Sequence, residues 1–230
     1  MILSFLLCGY FKYLVIIVLI LLFHDLGLIL VLKRLKYKVY KIEILPFGAS
    51  IETNMGLNSS SKDIFLVSIA GVLMQIFLYF LFFLIYNFGY MSELFFNIFL
   101  KYNTLLIIFN LLPIYPLDGN KIISALLEFF VCFRLTLFFS VIISFLVLII
   151  FGYCNYIFGF DCYPIVFFLL FKIISYIREY RYIWNKFFLE RSFKDLEYKK
   201  IKNISNVKNI YKNRLNFING LCERKFYFKK

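Results

Sequence analysis

Five stretches of this chain stay apolar for about the length a helix needs to cross a bilayer. They are Tyr13–Leu32, Ile64–Phe88, Phe95–Leu112, Leu135–Phe151 and Ile157–Ile177. About 20 apolar residues at 1.5 Å each cover the roughly 30 Å of hydrocarbon. A sixth stretch, Met1–Tyr10, is shorter and reads as a clipped or tilted first helix. Composition agrees: 63% of the 230 residues are apolar and 17% are charged. A soluble domain of this size cannot hide that much apolar surface. The expected fold is an all-α polytopic membrane protein with about six transmembrane helices. Lys38–Leu45 alternates in part and predicts a short membrane-associated β-hairpin between the second and third of them.

The cations sort by loop. Segments 33–63, 119–134 and 178–230 hold 23 of the 26 Lys and Arg residues. All three fall on one side if each span is real, and the positive-inside rule makes that side cytoplasmic. The net charge of +13 is therefore topology and does not signal nucleic acid. The partner implied is the lipid bilayer. Residues 1–190 read as the membrane core, with 33–63 as a cytoplasmic loop, and 191–230 as a basic cytoplasmic tail. Glu128 and Arg134 read as interfacial anchors. Cys154 and Cys162 share the outer side and could pair, with small apolar filler as the ordinary reading of each.

Ionisable groups inside a span are costly and mark functional sites. His24 and Asp25 lie in the Tyr13–Leu32 run, His24 about 12 Å from its cytoplasmic end. The second place is Asn110-Leu-Leu-Pro113-Ile-Tyr-Pro116-Leu-Asp118-Gly119, where two prolines and a glycine end a helix. The freed backbone and Asp118 must face protein or a polar cavity there.

These residues resemble the site-2 intramembrane zinc proteases. His24-Asp25-Leu26-Gly27-Leu28 stands where that family has His-Glu-Leu-Gly-His. The segment from Asn110 to Gly119 is similar to its Asn-x-x-Pro-x-x-x-x-Asp-Gly signature. Leu45-Pro46-Phe47-Gly48 and Ala70-Gly71-Val72-Leu73-Met74-Gln75 resemble two further family segments, in the family's order. The branch of the stage IV sporulation processing protease is the nearest in pattern. The resemblance implies a site-2-protease-like core and a zinc cofactor. It implies metal positions at His24 and Asp118, and a general base at Asp25. It places Asn110 in the cavity and Gly48, Gly71 and Gln75 on the substrate side.

The chain departs from the pattern at two places. A His-Glu-x-x-His helix sets two imidazoles one turn apart on one face, with the Glu acting on metal-bound water. Here the second ligand position is Leu28, which cannot ligate, and Asp25 is one methylene shorter than Glu. His24 is the sole histidine in the chain. The expectation is a non-catalytic relative that binds a membrane-bound client protein. The alternative is a working intramembrane metalloendopeptidase. A more remote alternative is a transporter using His24, Asp25 and Asp118 as a proton or cation path.

Overall fold

A computed structural model describes residues 11–45, 48–158, 163–193, 200–218 and 221–223. The element order is α1 (Phe11–Arg34), β1 (Val39–Leu45), β2 (Gly48–Thr53), α2 (Ser61–Asn87), α3 (Glu93–Leu111), α4 (Asp118–Leu127), α5 (Phe133–Phe158), α6 (Tyr163–Phe193), β3 (Ile201–Ile204), β4 (Leu215–Ile218) and β5 (Leu221–Cys222). Among the described residues four helices are long and apolar enough to cross a membrane: Tyr13–Arg34, Ser61–Asn87, Glu93–Leu111 and Phe133–Ile157. Their apolar side chains are mostly outward, with 17–33% of each span's most apolar stretch buried. That is how helices look when lipid, not protein, covers them.

Six spans are not supported. Met1–Tyr10 lies outside the described residues. The Ile157–Ile177 span is divided: Ile157 and Phe158 end α5, which runs on unbroken through Cys154. The following helix, α6, starts at Tyr163, and Lys172, Arg178 and Glu179 cut its apolar stretch short. Cys162 also lies outside the described residues, and with it the expected pairing to Cys154.

The chain divides into two compact units, residues 1–55 with 66–111 and residues 56–65 with 112–230. In the first, Ile16 and Ile20 of α1 pack with Leu78 of α2 and Phe99 of α3. Phe82 stacks on Phe99 at 4.1 Å and Tyr86 on Phe96 at 4.6 Å. Such pairs add about 0.5–1.5 kcal/mol beyond area burial. The expected hairpin forms: β1 and β2 pair antiparallel with Ile42 opposite Ile51. Lys36, at φ 62°, closes α1, and the Tyr37 N–H returns to the Leu32 carbonyl at 2.9 Å.

In the second unit α4, α5 and α6 carry a small cap. Its strands run β3–β4–β5, with β3 parallel and β5 antiparallel to β4. Ile204, Ile210 and Ile218 of the cap join Phe133 and Leu137 of α5 and Phe187 of α6 in one apolar core. Ile204, Ile210 and Ile218 thus anchor the described part of the tail to the helices. Arg191 forks onto Glu223 through Nε–Oε2 at 3.0 Å and Nη2–Oε1 at 2.9 Å, with both side chains 2% exposed. Glu128 is corrected likewise. It is 6% exposed, accepts from Ser61 Oγ, and pairs with Lys212 Nζ at 3.0 Å, so it is a buried counter-charge and no interfacial anchor. Burial pushes the Lys212 ammonium below its ordinary value, and Glu128 opposes that shift.

Candidate functional site

The first unit holds His24, Asp25, Gly71 and Gln75. His24 and Asp25 are buried within α1, at 5% and 8% exposure. The His24 ring lies over Gly71 of α2. A Cβ placed on Gly71 would stand 2.6 Å from both ring nitrogens, so a glycine is needed for the imidazole to fit. One turn later in α1, Gly27 meets the Ala70 carbonyl. A Cβ there would stand 2.6 Å from that oxygen and 2.8 Å from Met74 Cβ. Small residues at both points let the two backbones approach, as in membrane helix pairs generally.

Gln75 is fully buried one turn beyond Gly71. Among the described residues its side-chain amide makes no hydrogen bond. Asn103 of α3, 2% exposed, donates through Nδ2 to the Gln75 backbone carbonyl at 3.2 Å. Reasoning from the sequence passed over Asn103. The signal was available, since an amide in the middle of an apolar run needs a partner inside the protein. Asn110 sits near the end of α3, half-buried, and Gly48 begins β2.

The second unit holds Asp118 and the loop before it. Ile114 is fully buried, and the Tyr115–Pro116 peptide is cis. The Tyr115 N–H donates to Ser144 Oγ at 3.0 Å, and Ser144 Oγ donates to the Ser140 carbonyl at 2.7 Å. Ser140 Oγ in turn donates to Asn120 Oδ1 at 2.8 Å. So α5 holds both ends of the loop that delivers Asp118 to the first turn of α4. Burial raises the Tyr115 hydroxyl above its ordinary value, with Glu179 adding to the shift. Ser140 and Ser144, one turn apart in an apolar run, were the missed sequence signal. Ser140→Ala is expected to cost about 1–3 kcal/mol, because it strands the buried Asn120 carbonyl. A thermal melt in detergent checks this.

Asp118 itself is engaged. Lys121 Nζ, three residues along α4, donates to its Oδ1 at 2.7 Å. A carboxylate at the first turn is favoured by the helix dipole as well. Among the described residues no group of three or more His, Cys, Asp or Glu side chains gathers as a metal site would require. A catalytic zinc takes three protein ligands and keeps a fourth position open. Among the described residues His24 is the one imidazole, with Leu28 one turn beyond it, and together with Asp118 that gives two of the three donors such a site takes.

No family model matches the chain. The chain is similar to Stage IV sporulation protein FB of Bacillus subtilis (strain 168). The two are 35% identical over 121 residues, which is 53% of this chain and 42% of that relative. The chain thus spans less than half the length of the relative it matches. Together with the four apolar helices, the similarity supports an integral membrane location.

Proposed function

We propose that this chain is a site-2-protease-like membrane protein that holds a membrane-embedded client without cutting it. The single observation that carries this reading is the state of the two expected metal positions. Asp118 is paired to a cation of its own helix, Lys121, at 2.7 Å. His24 has Leu28 where the second imidazole would stand. The similarity to Stage IV sporulation protein FB and the four motif segments in family order support the fold half of the proposal. The donor set supports the non-catalytic half. The distribution of cations supports placing loops 33–63 and 119–134 and the tail on the cytoplasmic side of a bacterial plasma membrane.

In this reading Asp25 has no metal-bound water to act on. Gly71 keeps the helix pair close around His24. Asn110, Gln75 and Gly48 remain on the side that faces a client. A bilayer-embedded client helix would meet an apolar surface, with few polar groups to orient it.

Zinc content tests the proposal. Purified wild-type protein is expected to carry less than about 0.1 zinc per chain, since two ligands do not hold a zinc ion tightly. The Asp25→Glu/Leu28→His variant rebuilds the motif and is expected to take up more, and more again with Lys121→Gln. Near-stoichiometric zinc in the wild type, lost in His24→Ala and in Asp118→Ala, would overturn the non-catalytic reading. Cleavage of a membrane peptide that a chelator stops would do the same.

A further inference from the structure

Helix α3 carries a lysine on the face turned away from the helices it packs against. At about 100° per residue, Leu94, Asn97, Thr104, Leu105 and Ile108 all lie within about 60° of Lys101. All six are exposed. Phe96, Phe99 and Asn103 take the opposite side and are buried.

Lys101 stands deep in the apolar layer. It is about 12 Å from Glu93 and about 15 Å from Leu111, the two ends of its candidate span. Its neighbours give the same level on α2. Phe99 packs with Leu78 and stacks on Phe82, and Asn103 donates to the Gln75 carbonyl. Leu78 itself lies about 13 Å inside the Asn87 end of α2. A lysine stem extends roughly 6 Å, so snorkelling leaves the ammonium short of either end. Among the described residues Lys101 makes no ion pair, hydrogen bond or ring contact. The side chains of Asn97 and Thr104 make no hydrogen bond there either. A cation at this depth is costly, and such residues ordinarily pair.

We propose that this face of α3 is the docking surface for a membrane-spanning helix of another protein, one that carries an Asp or Glu level with Lys101. Charge complementarity selects that occupant. A second copy of this chain does not supply it. The acids in the four candidate spans are Asp25, which is buried, and Asp63 and Glu93, which stand in first turns. Lipid tails would leave the lysine unmatched, and a phospholipid headgroup lies beyond its reach. Asn97 and Thr104, about one turn to either side, are polar groups of the kind that hydrogen-bond across membrane helices. The surface is on the far side of α3 from Asn103, so it stands whether or not the chain holds a client beside His24.

A designed membrane peptide tests the surface. The full chain is reconstituted in phosphatidylcholine vesicles with a labelled peptide of leucine and alanine, about 20 residues long, with one Glu at its centre. Energy transfer from a donor fused to the protein reads binding. Wild-type protein is expected to bind the Glu peptide on the order of tenfold more tightly than the same peptide with Gln. Lys101→Met is expected to erase that difference, and Lys101→Arg to keep it. Lys33→Met removes one charge at the end of α1 and is expected to keep it too. Without peptide, Lys101→Met is expected to melt no lower than wild type in detergent, since the lysine holds nothing within the chain. A lower melting temperature would place its partner inside the chain and overturn the proposal. Equal binding of both peptides by the wild type, as a snorkelling lysine predicts, overturns it. So does a Glu preference that survives in Lys101→Met or is lost equally in Lys33→Met.

Discussion

Arg191→Met is expected to destabilise the second unit by about 3–5 kcal/mol, the usual cost of breaking a buried ion pair from one side. Arg191 reaches five acceptors: both Glu223 oxygens, Asn58 Oδ1 at 3.3 Å, and the Lys212 and Arg214 carbonyls at 3.0 and 2.6 Å. Removing it leaves the Glu223 carboxylate, 2% exposed, without its cation. The loss should appear as a lower melting temperature in detergent and as earlier proteolysis within residues 200–223. Arg191→Lys keeps the charge without the fork and should fall between the two. Arg191→Met/Glu223→Leu should recover part of the loss, because it removes the stranded charge along with its partner. A single variant within about 0.5 kcal/mol of wild type would refute the role assigned to the pair.

Gly27→Ala and Gly71→Ala are expected to cost about 1–3 kcal/mol each, by forcing apart two helices that pack through those glycines. The two should differ in what relieves them. The added methyl at Gly71 meets the His24 ring, so His24→Ala in the same chain should restore most of the stability. The methyl at Gly27 meets the Ala70 carbonyl at 2.6 Å, a backbone atom no side-chain change can move. A double-mutant cycle in detergent melts measures this: strong coupling is expected for Gly71 with His24, and weak coupling for Gly27 with His24. Equal coupling in both pairs would mean that His24 does not lie on Gly71.

Hydropathy found the four candidate spans because nothing local competes with 20 apolar residues in a row. The same rule overran at Ile157–Ile177, because a run of apolar residues does not record where one helix stops and the next begins. The hairpin was legible because alternation survived at Lys38–Leu45. Glu128 was misread: a lone acid beside an apolar run looks like an anchor until Lys212, 84 residues away, is seen against it. Asn103 and Ser140 were visible as polar residues in apolar runs, but their partners were not.

The sequence alone determined that this chain lives in a bilayer, and that it carries a single histidine, His24, with a leucine four residues on. Both follow from residue identity, since hydropathy and ligand chemistry are properties of side chains wherever they lie. Only the tertiary structure decided that Asp118 is held by Lys121, that His24 rests on Gly71, and that Lys212, Arg214 and Glu223 gather around Arg191. Those outcomes depend on which helix faces and carbonyls are brought within about 3 Å of a charged group, and spacing along the chain does not fix that.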